Sequence, residues 1–218
     1  MEPPTVFVVD DDSAMRNSLA WLLESVGLQV KTFASATEFL KAYAADQPGC
    51  LVVDVRMPGM SGLELQERLK DHRVELPMIV ITGHGDIPMA VRAMKAGAID
   101  FFEKPFNDQV VIERIQQCLE SDQKRREERA ECIAFARRVA TLTKREMEVF
   151  ERVLAGKSNK LIAHELEISG KTVEVHRARM MDKLGADSLA QLVATSVSCG
   201  LGQPENGENP DRNAGETR

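Results

Sequence analysis

The sequence predicts an α/β fold, a doubly wound five-stranded parallel sheet, followed by a small all-α domain of four helices. Two observations lead to this prediction. Short apolar runs alternate with helical patterns over the first 120 residues, and only helical patterns occur over 141–200. Nearly continuous apolar strands separated by helices are typical of a parallel sheet covered on both faces. The length of 218 residues suits one or two domains.

Five strand–helix units follow one another in the first part of the chain. Apolar and β-branched runs predict strands at 5–9, 28–33, 51–55, 78–82 and 99–102. Helices are predicted at 14–26, from 35 onward, and at 61–71, 87–96 and 107–120. Two of them open at Ser35 and Ser61, each followed three residues later by Glu, as in a capping box. Five units fit a flavodoxin-like sheet of order 2-1-3-4-5, in which ligands bind where strands 1 and 3 end.

Only helices are predicted in the second part of the chain, at 143–156, 158–166, 171–184 and 188–197. The segment 121–139 is highly charged and contains neither Pro nor Gly, which predicts a helical, partly exposed linker. The tail is rich in Gly, Pro, Asn and charge, which predicts disorder. The predicted boundaries are 1–122 for the first domain, 123–140 for the linker, 141–200 for the second domain and 201–218 for the tail.

Charge is distributed unevenly between these parts. The net charge of −6 argues against nucleic-acid binding by the chain as a whole. However, residues 1–120 carry 11 basic and 18 acidic side chains, whereas residues 121–200 carry 15 basic and 12 acidic ones. The acidity therefore belongs mainly to the first domain, and the basic second part is a candidate for DNA binding.

The cysteines and the N-terminus predict a cytoplasmic protein. Cys50, Cys118, Cys132 and Cys199 show no metal-ligand spacing, which favours reduced, structural thiols. The N-terminus lacks the pattern of a signal peptide. No apolar run approaches the roughly 20 residues that cross a bilayer, so we expect no membrane association.

Carboxylates converge at one edge of the predicted sheet. Three aspartates, 10–12, follow strand 1, and Asp54 lies at the end of the neighbouring strand 3. Several carboxylates at one place need a cation, and oxygen ligands favour Mg²⁺. The alternative for any single Asp is that it caps a helix. Thr82 ends strand 4 and Lys104 follows strand 5, and both offer groups that bind a phosphoryl oxygen.

These residues lie in motifs that resemble the receiver domain of two-component response regulators. The matching segments are VVDDD at 8–12, VVDVRMPGMSG at 52–62, VITGHGD at 80–86 and DFFEKPF at 100–106. The resemblance covers about residues 5–120, and GHGDIPMAV at 83–91 narrows it towards FixJ-like regulators.

The resemblance implies that Asp54 accepts a phosphoryl group from the phosphohistidine of a sensor histidine kinase. The implied Mg²⁺ ligands are Asp10, Asp11, Asp54 and the backbone carbonyl of Arg56. Asp12 is expected to begin a helix rather than to bind the metal, and His84 is expected to have a loop or surface role.

Three further residues have roles implied by the resemblance. Lys104 pairs with the phosphoryl group and Thr82 forms a hydrogen bond with it. Phe101 becomes a switch that fills the space left by Thr82, although its position alone predicts a strand core residue. The Lys104–Pro105 peptide is expected to be cis.

The helix predicted at 171–184 has two different faces. At about 100° per residue, one side carries Val173, Met180 and Leu184, which we expect to be buried. The opposite side carries small and basic groups, namely Lys171, Val175, Ala178 and Arg179, together with Asp182. Such a face suits the major groove of DNA, and the alternative is an ordinary solvated helix face.

Residues 142–185 resemble the LuxR/FixJ-type DNA-binding domain. The resemblance makes 160–166 the positioning helix and 171–184 the recognition helix of a helix-turn-helix. The implied base-edge readers are Glu174, Val175 and Ala178, and the implied phosphate contacts are Lys171, Thr172, Arg177, Arg179 and Lys183. Glu174 and Ala178 depart from relatives with Lys there, which favours a different target sequence. His176 is expected to be packed rather than catalytic.

The leading hypothesis is therefore a phosphorylation-switched transcriptional regulator and not an enzyme. Phosphorylation would promote a homodimer that binds two half-sites of double-stranded DNA, with RNA polymerase as a further partner. The alternative is a Mg²⁺-dependent phosphohydrolase with an aspartyl nucleophile. A ligand-sensing regulator with the same DNA-binding domain would lack the acidic pocket. The complete set of pocket residues disfavours a receiver that works without phosphorylation.

Overall fold

The computed structural model of the protein describes residues 3–44, 47–72, 74–83 and 87–201. His84 and the tail at 202–218 lie outside these residues, so their predicted roles stay predictions. The chain divides into two compact units, Met1–Arg126 and Glu127–Arg218.

The first unit is the predicted five-stranded parallel sheet with helices on both faces. Its strands are β1 (Thr5–Val9), β2 (Gln29–Phe33), β3 (Gly49–Asp54), β4 (Met78–Thr82) and β5 (Asp100–Glu103). Its helices are α1 (Ser13–Ser25), α2 (Ala36–Ala42), α3 (Gly62–Asp71), α4 (Ile87–Lys95) and the first part of α5 (Asp108–Val139). The strand order 2-1-3-4-5 is confirmed, and all four pairings are parallel.

The central strands are buried on both faces because their side chains alternate between two cores. In β1, Phe7 and Val9 belong to one core, and Val6 and Val8 belong to the other. This alternation is the ordinary period of a strand, and it explains why the central strands read as continuous apolar runs. The edge strand β2 is largely exposed, with Phe33 as its buried residue.

The predicted helix caps are present and fix where the helices begin. The hydroxyl of Ser35 accepts a hydrogen bond from the Glu38 amide, and Ser61 and Glu64 form a complete capping box at α3. Since α3 follows the loop after β3, its cap helps to set the course of the chain beside Asp54.

Helix α5 continues without a break through the charged segment to Val139, so the helical linker predicted there and the last helix of the first unit are one helix. Asp122 on α5 is buried, and its carboxylate accepts hydrogen bonds from the Gly49 amide at 3.0 Å and from Arg126 Nε at 2.7 Å. Arg125 also donates to this carboxylate. A buried carboxylate with these donors fastens α5 to the first residue of β3.

The second unit contains the end of α5 and four helices, as predicted: α6 (Lys144–Leu154), α7 (Asn159–Leu166), α8 (Gly170–Leu184) and α9 (Leu189–Ser198). Phe135 from α5 is buried in the core of this unit beside residues of α6, α7, α8 and α9. The turn between α7 and α8 begins at Glu167, whose φ of 55° is left-handed. This turn confirms the helix-turn-helix arrangement.

The expectation of four reduced thiols is wrong for two of the cysteines. Cys132 on α5 and Cys199 after α9 form a disulfide, although 67 positions separate them in the sequence. The reason is the extension of α5, which carries Cys132 into the second unit. Cys50 and Cys118 are free and buried, as expected of structural thiols.

Candidate functional site

The carboxyl ends of β1 and β3 bring three aspartates together. The two strands pair from Thr5 with Gly49 to Val9 with Val53, so Asp10 and Asp54 follow the last pair side by side. One oxygen of each carboxylate of Asp10, Asp11 and Asp54 lies within 4.8 Å of the others. Asp10 and Asp54 are buried and Asp11 is exposed, so the cluster is accessible to solvent at Asp11.

Lys104 brings a positive charge to this cluster from the loop after β5. Its Nζ lies 2.7 Å from Asp10 Oδ2 and 3.7 Å from Asp54 Oδ1. Its backbone amide donates to the carbonyl of Thr82 at 2.8 Å, which holds the start of this loop against the end of β4. The Lys104–Pro105 peptide is cis, as predicted.

The pKa of Asp54 is raised above its ordinary value. Burial is the main cause, because it removes water from the charged form, and the charge of Asp10 raises the pKa further. The charge of Lys104 lowers the pKa of Asp54 and only partly offsets these effects. Within the described part of the chain, the buried Oδ1 of Asp54 has no hydrogen-bond partner.

These residues fit a bound divalent cation. A buried carboxylate oxygen without a hydrogen-bond partner is costly, and a cation would satisfy it. The cluster consists of hard oxygen donors, the ligands that Mg²⁺ prefers, and its exposed side leaves room for water. Arg56 lies two residues beyond Asp54, before α3, and its carbonyl stays a predicted ligand.

Asp12 begins α1, as expected, and its side chain accepts a hydrogen bond from the Ala14 amide at 2.8 Å. The Asp12 amide in turn donates to Asp10 Oδ1 at 2.9 Å, so the helix start orients a carboxylate of the cluster. Arg16 in the first turn of α1 donates to the carbonyl of Asp10 at 2.6 Å, a contact that the sequence does not indicate.

Gly62 is a further residue of the site that the sequence analysis missed. A Cβ at this position would collide with the backbone carbonyl of Asp54. A side chain there would displace the end of β3, so the close approach of α3 to Asp54 requires glycine. The sequence shows this glycine in the motif MSG at 60–62, where α3 begins. Only the contact with Asp54 explains why glycine is needed there.

Thr82 and Phe101 lie on neighbouring strands of the sheet, and their switch role stays a prediction. Thr82 ends β4 and is fully buried, and Phe101 lies on the neighbouring strand β5, opposite Val80. Phe101 is partly buried and packs against the core that contains Phe7. Both readings of Phe101, core residue and switch, are compatible with this position.

Helix α8 has the two predicted faces. Val173, Met180 and Leu184 are buried in the second core. The opposite residues are exposed: Lys171, Glu174, Val175, Ala178, Arg179 and Asp182. His176 is partly buried, as expected for a packed residue. The exposed face therefore offers small and basic groups on one side of a helix, which is the form that a major groove accepts.

Three residues predicted to contact phosphates have hydrogen bonds inside the second unit. The Thr172 hydroxyl lies 2.8 Å from the Ser169 hydroxyl, and Arg177 donates to Asn159 Oδ1 at 2.9 Å. Lys183 donates to Glu146 Oε2 at 2.6 Å. The first bond closes the N-terminal cap of α8, and the other two join α8 to α7 and α6. The phosphate contacts of the three residues stay predictions.

Glu146 and Lys183 form a close ion pair in the second unit, with 2.6 Å between Glu146 Oε2 and Lys183 Nζ. Glu146 is buried, and hydrogen bonds from Lys183 and from the Thr143 amide lower its pKa from 4.5 to about 2. Glu146 also closes the capping box of α6 with Thr143. One carboxylate thus fixes both the start of α6 and the last turns of α8.

Comparisons with known proteins agree with this arrangement. A family model described as the response regulator receiver domain matches residues 6–116, and one described as bacterial regulatory proteins of the luxR family matches residues 140–196. Transcriptional regulatory protein FixJ of Rhizobium meliloti (strain 1021) is 49% identical over 199 residues, which cover 91% of this chain and 97% of that protein. Nodulation protein W of Bradyrhizobium diazoefficiens is 46% identical over 196 residues, 90% of this chain and 86% of that protein.

Solved structures extend the similarity over most of the chain. The response regulator StyR has a TM-score of 0.79 and 48% identity, covering 90% of this chain and 99% of that one. Full-length FixJ from B. japonicum has a TM-score of 0.57 and 44% identity, and the match covers 92% of this chain and 98% of that one. Among the described residues, no helix is both long and apolar enough to span a membrane. The chain therefore belongs to the two-component response regulators, with a receiver domain followed by a LuxR-type DNA-binding domain, and is a FixJ-like transcriptional regulator.

Proposed function

We propose that Asp54 is the phosphoacceptor and that its phosphorylation by a sensor histidine kinase enables binding to operator DNA. The observation that carries this proposal is the Asp54 carboxylate itself, which is buried beside two other aspartates. Its Oδ1 lies 3.7 Å from Lys104 Nζ and has no hydrogen-bond partner among the described residues. A nucleophilic oxygen, a nearby cationic side chain and a cluster of metal-binding carboxylates are the parts that phosphoryl transfer needs.

The transfer exchanges one bond to phosphorus for another. A carboxylate oxygen of Asp54 forms the new O–P bond, while the P–N bond of the kinase's phosphohistidine breaks and its electron pair stays on the imidazole nitrogen. Lys104, whose Nζ lies 3.7 Å from Asp54 Oδ1, is proposed to pair with the transferred group. The Thr82 hydroxyl is proposed to donate a hydrogen bond to another phosphoryl oxygen.

Asp10, Asp11, Asp54 and the carbonyl of Arg56 would hold Mg²⁺ in this site. The ion would supply the positive charge that neutralises the phosphoryl oxygens. The chain's own contribution is to hold the carboxylates in place, through the Asp12 amide on Asp10 and the Arg16 guanidinium on the Asp10 carbonyl.

Phosphorylation is proposed to change the surface of the first unit through movements of Thr82 and Phe101. When Thr82 turns towards the phosphoryl group, Phe101 moves into the space beside β4, and the face formed by α4 and β5 changes. We propose that this face then supports a homodimer. A dimer places two copies of α8 on two half-sites, which raises the affinity for DNA.

The DNA-binding contacts are proposed to lie on the exposed face of α8. Glu174, Val175 and Ala178 would meet base edges, and Lys171 and Arg179 would meet phosphates. RNA polymerase is the proposed further partner at the promoter. A DNA-binding regulator must reach the chromosome, so we propose that the protein acts in the cytoplasm.

Labelling with a small phosphodonor tests the phosphoacceptor directly. The full chain is incubated with Mg²⁺ and acetyl phosphate, and intact-mass spectrometry counts the phosphoryl groups. One group is expected on the native chain and on the control Asp71→Asn, which changes an exposed aspartate at the end of α3. Asp54→Asn should receive none. Labelling of Asp54→Asn at the native rate would overturn the proposal, and sustained turnover of a phosphate ester would favour a phosphohydrolase instead.

A further inference from the structure

The disulfide between Cys132 and Cys199 joins two segments that frame the DNA-binding unit. Cys132 lies on the last part of α5 and Cys199 is the cap residue after α9. Their Cα atoms are 5.1 Å apart, within the ordinary range for a disulfide. The chain between them, with a sequence separation of 67, contains α6, α7, α8 and α9, so the bond closes a loop around the whole helix-turn-helix.

The two disulfide cysteines differ from the two free ones in their access to solvent. Cys50 and Cys118 are 0% and 1% exposed, inside the core of the sheet. Their mutual hydrogen bond, together with burial, raises the pKa of Cys50, which keeps it a thiol. Cys132 and Cys199 are only partly buried, so a small thiol or disulfide in solution can reach them.

The bond connects groups that pack on one core. Phe135, one turn after Cys132, is buried in the second core, and Cys199 and Leu201 pack against the same core. The Leu201 amide also donates to the carbonyl of Ser196 at 2.7 Å, which continues the packed chain beyond α9. Opening the disulfide therefore removes a covalent tie between the end of α9 and α5, two segments that also contribute side chains to the same core.

We propose that Cys132 and Cys199 are a reversible thiol–disulfide modification site of the DNA-binding unit, with a low-molecular-weight disulfide of the glutathione type as the oxidant. One cysteine thiolate attacks the small disulfide and forms a mixed disulfide, releasing one small thiol. The second cysteine thiolate then attacks the mixed disulfide and releases the other. The two protons lost by the cysteines end on the two released thiols, and the two electrons reduce the small disulfide. The inference that this disulfide regulates DNA binding rests on the proposed function. That function places the protein in the cytoplasm, where small thiols can reduce the disulfide again.

Glutathione buffers of increasing oxidised fraction test this inference on the full chain. After acid quenching, thiols are alkylated and located by peptide mass spectrometry. Cys132 and Cys199 should convert together and reversibly while the chain stays folded, and Cys50 and Cys118 should stay thiols throughout. The oxidised chain should have a thermal midpoint of its second unit higher by about 10 °C or more than the reduced chain. In Cys132→Ser and Cys199→Ser that difference should vanish.

Two results would overturn the inference: thiols that stay free at every buffer ratio, or a disulfide that opens only when the chain unfolds. If a serine variant folds poorly, the thermal midpoints of the oxidised and reduced native chain still show whether the disulfide forms and opens in the folded protein. Phosphorylation of Asp54 is measured on the same samples, because its failure would contradict the proposed function and leave the thiol result intact.

Discussion

Lys104 stands closer to Asp10 than to Asp54, at 2.7 Å against 3.7 Å between the nearest charged atoms. The lysine therefore neutralises the carboxylate that, in our proposal, binds metal rather than phosphate. A cation bound by Asp10 would compete with Lys104 for the same oxygen and favour movement of the lysine towards Asp54. One lysine thus faces three carboxylates, and ionised Asp54 is only partly compensated.

We predict that Asp54→Asn stabilises the metal-free receiver. The pKa of Asp54 is raised in the folded state, so protonated Asp54 favours folding. This contribution to the free energy of unfolding is fully present below pH 3.8, the ordinary pKa, and is lost as the pH rises through the raised pKa of the folded state. At neutral pH the ionised carboxylate therefore costs stability. The thermal midpoint of the first unit should rise by a few degrees in Asp54→Asn, as measured by calorimetry in the presence of a chelator.

Added Mg²⁺ provides the control for this prediction. The ion should raise the thermal midpoint of the native chain and have a smaller effect on Asp54→Asn, since one ligand is lost. A metal-free Asp54→Asn variant that is less stable than the native chain would show that Asp54 is a stabilising partner of Lys104 instead.

The second unit should lose stability in acid through Glu146. Its pKa is lowered from 4.5 to about 2, so the stabilisation is present above pH 4.5 and is lost as the pH falls from there through 2. Glu146→Gln should remove this part of the acid dependence, whereas Glu148→Gln, a partly exposed neighbour on α6, should keep it. Thermal midpoints measured between pH 2 and 6 test this, and parallel profiles for native chain and Glu146→Gln would refute it.

Asp122→Ala should destabilise the first unit by about 3 kcal/mol, because it leaves the Gly49 amide and two arginines without their buried partner. Glu120→Ala, an exposed acid on the same helix, is the matched control and should change the stability by less than about 0.5 kcal/mol. Urea unfolding of the full chain measures both. Equal stability of the two variants would mean that the buried carboxylate does not hold α5 against β3.

Much of the site could be predicted from local pattern. Strand ends locate Asp10, Asp54, Thr82 and Lys104, because parallel strands all end at the same edge. The period of α8 likewise predicts which of its residues are buried.

What the sequence did not reveal depends on contacts between distant positions. Asp122 lies in a charged run and looks solvated, yet it is buried and accepts a hydrogen bond from the Gly49 amide at the start of β3. Lys183 looks like a free phosphate contact, yet Glu146 on another helix binds it. Cys132 and Cys199 meet because α5 continues through the predicted helical linker and packs beside the end of α9, a pairing that the pattern does not indicate. In each case the partner is set by tertiary packing, which composition and periodicity do not encode.

Arg179→Ala should weaken DNA binding about equally for all sequences and lower the salt dependence of the affinity by about one charge, as expected for loss of one phosphate contact. Arg137→Ala, an exposed arginine on α5 in the same unit, is the control. Affinities are measured over a range of salt concentrations on DNA obtained by selection from a random pool. An unchanged salt slope would remove Arg179 from the proposed contacts.

The measurement that tests the central claim most directly is the affinity of the full chain for its selected DNA, with and without acetyl phosphate and Mg²⁺. We predict that phosphorylation raises the affinity of the native chain by 10-fold or more through dimer formation, an order-of-magnitude expectation, while Asp54→Asn shows no response. Equal affinities of the phosphorylated and unphosphorylated native chain, at complete labelling of Asp54, would contradict the account.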